Sequence, residues 1–236
     1  MTAEAPENSA IDYTFSFGDG HEWQHKVDLL ATDSAAGTAG AEETPEWVRL
    51  GFHQCAHCPL TPEESPNCPY AMALARPVEQ LSHRASHEHV AMTVNWRGRE
   101  VRQTTTLQRA AGSLLGALGA VSGCPYTRKL KAMAWFHQPF SLPDESLYRV
   151  LGTYLLGQHL RQKRGLEADW DLKDLRKTYK DLRQVNKGMS ARLTSAAEQD
   201  SSLNGLVLLD LLAADTLYSL DRYAGELDEF FEAYFD

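Results

Sequence analysis

Four cysteines carry the clearest chemistry in this sequence. Three stand in the stretch GFHQCAHCPLTPEESPNCPYA, as Cys55, Cys58 and Cys68, and the fourth, Cys124, follows in SGCPY. Cys55 and Cys58 form a CxxC knuckle, and proline follows Cys58, Cys68 and Cys124. Thiolate is the nucleophilic and metal-ligating form of cysteine, so a site gains from whatever lowers the thiol pKa. Cys68 precedes PYAMALA and Cys124 precedes PYTRKLKAMAWF, two segments that read as helix starts. Proline is favoured at the first helical position, which places each of these cysteines at an N-cap. There the unpaired N–H groups and the helix dipole favour a negative sulfur.

Four thiolates suit tetrahedral zinc or an iron–sulfur cluster. The second CxxC of a zinc ribbon is missing, as is the tight run of bacterial ferredoxins, and Pro59 stands where a c-type haem site needs histidine. A structural zinc held by Cys55, Cys58, Cys68 and Cys124 is the leading expectation, with His53 and His57 as alternate nitrogen ligands. An iron–sulfur cluster in redox sensing or electron transfer is the runner-up. A redox thiol pair and cysteines buried without a ligand stay open, since free cysteine is among the most buried residue types. A closed site of four cysteines has no position for water, so it points to a non-enzymatic binding or regulatory module.

HQCAHCPL, CPYAMALA, SGCPYTRKLKAMAWFHQPF, the helical segment after it and DWDLKDLRKTY together resemble a widespread bacterial family of uncharacterised proteins, over most of residues 45–215. The resemblance implies that the cysteines act as a unit and implies no activity.

Other residues are weighed against plainer roles. His83, His87 and His89 with Glu88 span a helix end and a strand start, and read as solvated surface rather than a metal site. His137 and His159 are isolated and have no nucleophile at a recognisable spacing, so hydrogen-bonding roles are expected. An enzyme using either of them in a pocket between sheet and helices is the second alternative. Asn186, Arg192, Asp200, Asn204 and Asp210 interrupt apolar stripes and are expected to form a buried hydrogen-bonded network, or else to line a ligand pocket. Lys173, Arg176, Lys177, Lys180, Arg183 and Lys187 form a basic stripe that reads as a solvated face, or as a seat for a phosphate-rich ligand or an acidic partner. Gly112, Gly116 and Gly119 suggest close backbone approach within one helix.

The elements that must position these residues begin with two period-two runs, IDYTFSF and HEWQHKVDL, around the turn GDG, which predict a β-hairpin. ATDSAAGTAGAEETPE lacks periodicity and reads as a loop, and EWVRLGF reads as a third strand leading into the cysteines. A second hairpin runs from Val90 through RG to the threonines 104–106, giving about five strands in one antiparallel sheet with one face covered. From Leu107 the pattern turns helical. SLPDESLYRVLGTYLLGQHLRQKRG has an N-terminal proline and acids and a basic last turn, DWDLKDLRKTYKDLRQVNKGMSARL carries a helix stripe, and LNGLVLLDLLAADTLYSL reads as a buried helix. Leu227, Phe230, Phe231, Tyr234 and Phe235 share one face of a final helix, which packs on the chain's own core or docks on a partner or a second copy. The fold class is α+β, with a β-rich part over residues 1–106 and a helical part over 107–236 folded as one unit.

Composition sets outer limits. The chain has 236 residues and a formal net charge of −9, which makes a nucleic-acid partner unlikely. No secretory signal or membrane-spanning run is evident, and four cysteines are too few for a secreted disulfide scaffold, so a cytoplasmic protein is expected. The phosphate-loop, dinucleotide-binding, HExxH and GxSxG motifs are all missing.

Overall fold

The computed structural model describes residues 9–30, 44–194, 213–214, 216–218 and 227–235. It is α+β: an antiparallel four-stranded sheet at the N-terminal end, with helices following. Strands β1 (Ala10–Phe17), β2 (Glu22–Asp28), β3 (His89–Trp96) and β4 (Arg99–Thr106) lie in the order β2-β1-β3-β4. Alternation explains the sheet's two faces. Ile11, Tyr13, Phe15 and Phe17 of β1 point inward with Val90, Met92, Val94 and Trp96 of β3, and Phe15 pairs with Met92 in register. β4 stands at an edge and is mostly exposed, so charges and threonines suit it.

Thirteen-residue α1 (Pro69–Leu81) precedes β3, and α2 (Leu107–Val121) follows β4 without a linker. Then come a 3₁₀ turn (Thr127–Leu130), the short α3 (Lys131–Trp135), α4 (Pro143–Lys163) and α5 (Lys173–Thr194). The cap of α4 is Leu142, and the carboxylate of Glu145 accepts the Leu142 N–H at 2.7 Å. One hydrophobic cluster takes in the inner face of the sheet, α1, α2 and the buried stripe of α5, where Val185, Met189 and Leu193 recur at helical spacing.

The sheet has four strands rather than about five, because EWVRLGF is not a strand. Residues Glu46–Val48 form a 3₁₀ turn, and the carbonyls after it are taken by a side chain instead of a neighbouring strand. Arg192 of α5, 1% exposed, donates to the carbonyls of Trp47, Arg49 and Leu50 at 2.7, 2.7 and 2.8 Å. The final aromatic segment is not an α-helix either: it forms two 3₁₀ turns, Asp228–Phe230 and Glu232–Tyr234. Most of the expected helix over 203–220 lies outside the described residues, as does the loop over 31–43. Among the described residues no helix is long and apolar enough to cross a membrane.

Candidate functional site

The cysteine loop is closed at its neck by a short antiparallel pairing of residues 48–50 with 66–68. The Leu50 N–H donates to the Pro66 carbonyl at 2.9 Å, the Cys68 N–H donates to Val48 at 2.8 Å, and Arg49 bridges Asn67. Within the loop the Cys58 N–H donates to the Cys55 carbonyl at 2.9 Å, which closes the CxxC knuckle into a turn. Cys68 then stands at the N-cap of α1 with Pro69 in the first turn, as its sequence context predicts. Burial raises the pKa of its sulfur, and the N–H groups of Ala71 and Tyr70 offset part of that rise, short of a full capping hydrogen bond.

Helix packing brings the fourth cysteine over. Tyr70, in the first turn of α1, donates its hydroxyl to the Leu115 carbonyl of α2 at 3.1 Å, and its ring lies against Gly119. A Cβ at Gly119 would meet the Tyr70 ring at 2.9 Å, so the close approach expected of the glycine run is real here. The start of α1 and the end of α2 thus lie side by side. Gly123, at φ +86°, turns the chain into Cys124, whose N–H donates to the Ser122 hydroxyl at 3.3 Å. Cys124 does not cap a helix as expected. A turn and a 3₁₀ segment intervene, and the Cys124 carbonyl accepts only the Arg128 N–H, at 3.1 Å.

Helix α5 forms the third side. Gly188 packs directly on the knuckle, since a Cβ there would lie 2.8 Å from the Cys55 sulfur. One turn further on, Arg192 lends positive charge to both Cys55 and Cys68. The knuckle also rests on Tyr126, whose hydroxyl donates to the His57 carbonyl and whose ring stacks at 4.1 Å on the His57 imidazole.

All four cysteines are free, and their thiols act on one another. Burial, followed by the neighbouring Cys68, Cys58 and Cys124, pushes the Cys55 thiol up to about 11. Burial also raises Cys68, with Cys124 adding to the rise. The two sulfurs are therefore neutral thiols at neutral pH. Among the described residues no three His, Cys, Asp or Glu side chains stand as a ready-made metal cage.

The alternate histidines differ. His53 is exposed, with φ +45°, whereas His57 is half-buried with its Nε2 at 3.2 Å from the Asp181 carbonyl. That contact puts the proton on Nε2 and leaves Nδ1, which is buried and has no hydrogen-bond partner among the described residues, as a lone-pair donor. A ligating histidine commonly shows this arrangement.

A second feature lies among α2, α3, α4 and α5: a cavity of about 470 Å³ whose wall includes His137, Arg149, Tyr179 and Asn186. The Nε2 of His137 lies 2.8 Å from the Tyr13 hydroxyl of β1. Burial and the charge of Arg149 hold the imidazole far down, at about 4. His159 is exposed on α4, away from the cavity, and His83, His87 and His89 are all exposed. Of the expected polar network, Arg192 forms its part against the neck of the cysteine loop and Asn186 faces the cavity. Asp200, Asn204 and Asp210 lie outside the described residues. Sequence reasoning passed over Arg149, Tyr126 and Gly188. Only Gly188 left a signal, as a glycine inside an otherwise strong helical stripe.

A family model, DUF6901, described as a domain of unknown function, matches residues 11–232, which include the whole segment that resembles an uncharacterised family. No curated protein and no solved structure matches the chain.

Proposed function

The chain belongs to the DUF6901 family, and we propose that it is a metal-binding module whose Cys55, Cys58, Cys68 and Cys124 hold one structural zinc ion. What supports this reading is that the knuckle, the start of α1 and the turn after α2 come near enough for Cys68, Cys58 and Cys124 all to act on the Cys55 thiol, each of the four cysteines being free. The metal-free sulfurs are neighbours rather than a cage. Zinc replaces their protons and draws them to roughly 2.3 Å from the ion. Four thiolates around a divalent cation leave excess negative charge, and the buried guanidinium of Arg192 offsets it. The orphan Nδ1 of His57 is the nitrogen that can stand in for one sulfur. Such an ion ties the loop to two helix ends and makes the module's fold depend on metal. A reducing, cytoplasmic setting belongs to the same reading, because free thiols persist there.

Elemental analysis of anaerobically purified protein tests it. Zinc at one ion per chain is expected, lost in Cys55→Ser and in Cys124→Ser together with thermal stability. A brown protein containing iron and sulfide would move the same four residues to the iron–sulfur reading. Metal-free wild type, or unchanged metal in both variants, would overturn both.

The proposed partner is a second copy. Phe230, Tyr234 and Phe235 are 69, 82 and 68% exposed, which does not fit packing on the chain's own core. Phe231 stacks toward Tyr148 of α4, and Tyr148, Leu155, Leu156 and Leu160 expose an apolar stripe on that helix. Apolar surface gathered in this way marks protein interfaces. Asp228, Glu229 and Glu232 beside it complement the basic stripe of α5 on another copy.

A further inference from the structure

The cavity among α2, α3, α4 and α5 has the size and lining of a small-molecule site. Its volume, about 470 Å³, falls within the range in which proteins hold drug-sized ligands. It exists because α2 presents Gly112, Gly116 and Ala117 where larger side chains would fill the space. Met133, Phe140 and Val150 supply apolar wall opposite.

Its electrostatics are at odds with the rest of the molecule. The chain carries a net charge of −9, yet the only charged side chains among the described lining residues are Arg109 and Arg149. No Asp or Glu among the described residues forms an ion pair with Arg149. Its guanidinium donates to the Ser141 hydroxyl at 3.2 Å and to the carbonyls of Met133 and Phe136 at 2.9 and 3.4 Å. Three of its five N–H groups are so engaged, which fixes the fork and leaves two donors. Ser113, also on the cavity wall, has its buried hydroxyl acting on the Tyr13 hydroxyl. His137 stays neutral, so the deep positive charge belongs to Arg149.

We propose that this cavity binds a small amphipathic carboxylate, with its hydrocarbon body along the glycine-lined face of α2 and its carboxylate on Arg149. One of the remaining guanidinium donors, Nε–H or an Nη1–H, is free to donate to a carboxylate oxygen, and the single deep positive charge against a mostly apolar wall suits a monoanion better than a multiply charged phosphate ester. Arg149 fixes the head group by joining the end of α3 to α4, and the site needs no metal. It stands independently of the thiols.

Isothermal titration calorimetry on the full chain, with octanoate, 1-octanol and octylammonium as probes, tests the assignment. Octanoate is expected to bind at least tenfold more tightly than octanol, with a negative heat-capacity change, and octylammonium not to bind. Arg149→Met is expected to bring octanoate down to the octanol level while octanol binding is kept. Equal binding of octanoate and octanol by the wild type, or no octanoate binding at millimolar concentration, would overturn the proposal whether or not the variant folds. A folded Arg149→Met that keeps wild-type octanoate affinity would overturn it too.

Discussion

Gly188 of α5 stands so close to Cys55 that a Cβ on it would lie 2.8 Å from the sulfur. The contact is made to a short side chain with one rotatable bond, so little can yield. Gly188→Ala gains about 1 kcal/mol of helix propensity but loses about 1–3 kcal/mol to overpacking. Net destabilisation and reduced zinc content are expected. Gly157→Ala, in the interior of α4 with nothing within 4 Å of its Cβ position, is the control. It should stabilise by roughly 0.5–1 kcal/mol. Urea denaturation of the pair decides the matter, and a Gly188→Ala as stable as Gly157→Ala would show that α5 does not press on the knuckle.

Arg192 makes a harsher prediction. Three carbonyls, those of Trp47, Arg49 and Leu50, converge on one buried guanidinium. Arg192→Met takes the donor from the Trp47 and Leu50 carbonyls, while the Arg49 carbonyl keeps the Phe52 N–H, and should cost roughly 3 kcal/mol or more. Arg192→Lys should recover only part of that loss, because an ammonium lacks the planar fork. Full recovery by lysine would mean that charge alone matters at this position.

How far the sequence discloses this site depends on the range of the interactions that build it. The hairpins follow from alternation within a few residues, and β1 to β4 lie where Tyr13, Phe15, Val90 and Met92 predict them. Cys68 at its N-cap follows from the adjacent Pro69, which is equally local. EWVRLGF stays out of the sheet because the carbonyls of Trp47, Arg49 and Leu50 go to a residue more than 140 positions away, and the pairing it keeps is the short one with residues 66–68. The same holds for Cys124. Its Cys-Pro pair matches that of Cys68, but Thr127 turns its hydroxyl back to the Gly119 carbonyl and a 3₁₀ segment forms first. The aromatic end has perfect helical spacing and no described core to receive it beyond Leu227, so spacing alone misleads. The carboxylate cavity leaves no motif, since small residues on α2 make it and Arg149 on α4 charges it.

The thiols set a pH rule for metal uptake. Cys55, at about 11, and Cys68 are protonated at neutral pH when no ion is bound, so zinc must displace their protons. Apparent zinc affinity should rise steeply from pH 6 to 8, with proton release measurable in weakly buffered solution. For the metal-free fold the sign is opposite. A thiol raised above its unfolded value of about 8.5 adds stability below that pH and loses it as pH climbs toward 11. Denaturation curves of the metal-free wild type at pH 7 and pH 10 should therefore diverge more than those of Cys55→Ser.

At the acid end the controlling group is His137. Its folded value of about 4 lies below the unfolded value of about 6.5, so its contribution is present above pH 6.5 and drains away as pH falls toward 4. Protonation would place a second cation beside Arg149 and compete with the hydrogen bond between Nε2 and the Tyr13 hydroxyl. Tyr13 cannot offset that charge by ionising, because burial pushes its hydroxyl far upward. His137→Asn should be less stable than wild type at pH 7, since the contact with Tyr13 is lost. Its stability should then decline less steeply between pH 6.5 and 4. Parallel declines in the two proteins would mean that carboxylates elsewhere, not this imidazole, govern acid unfolding.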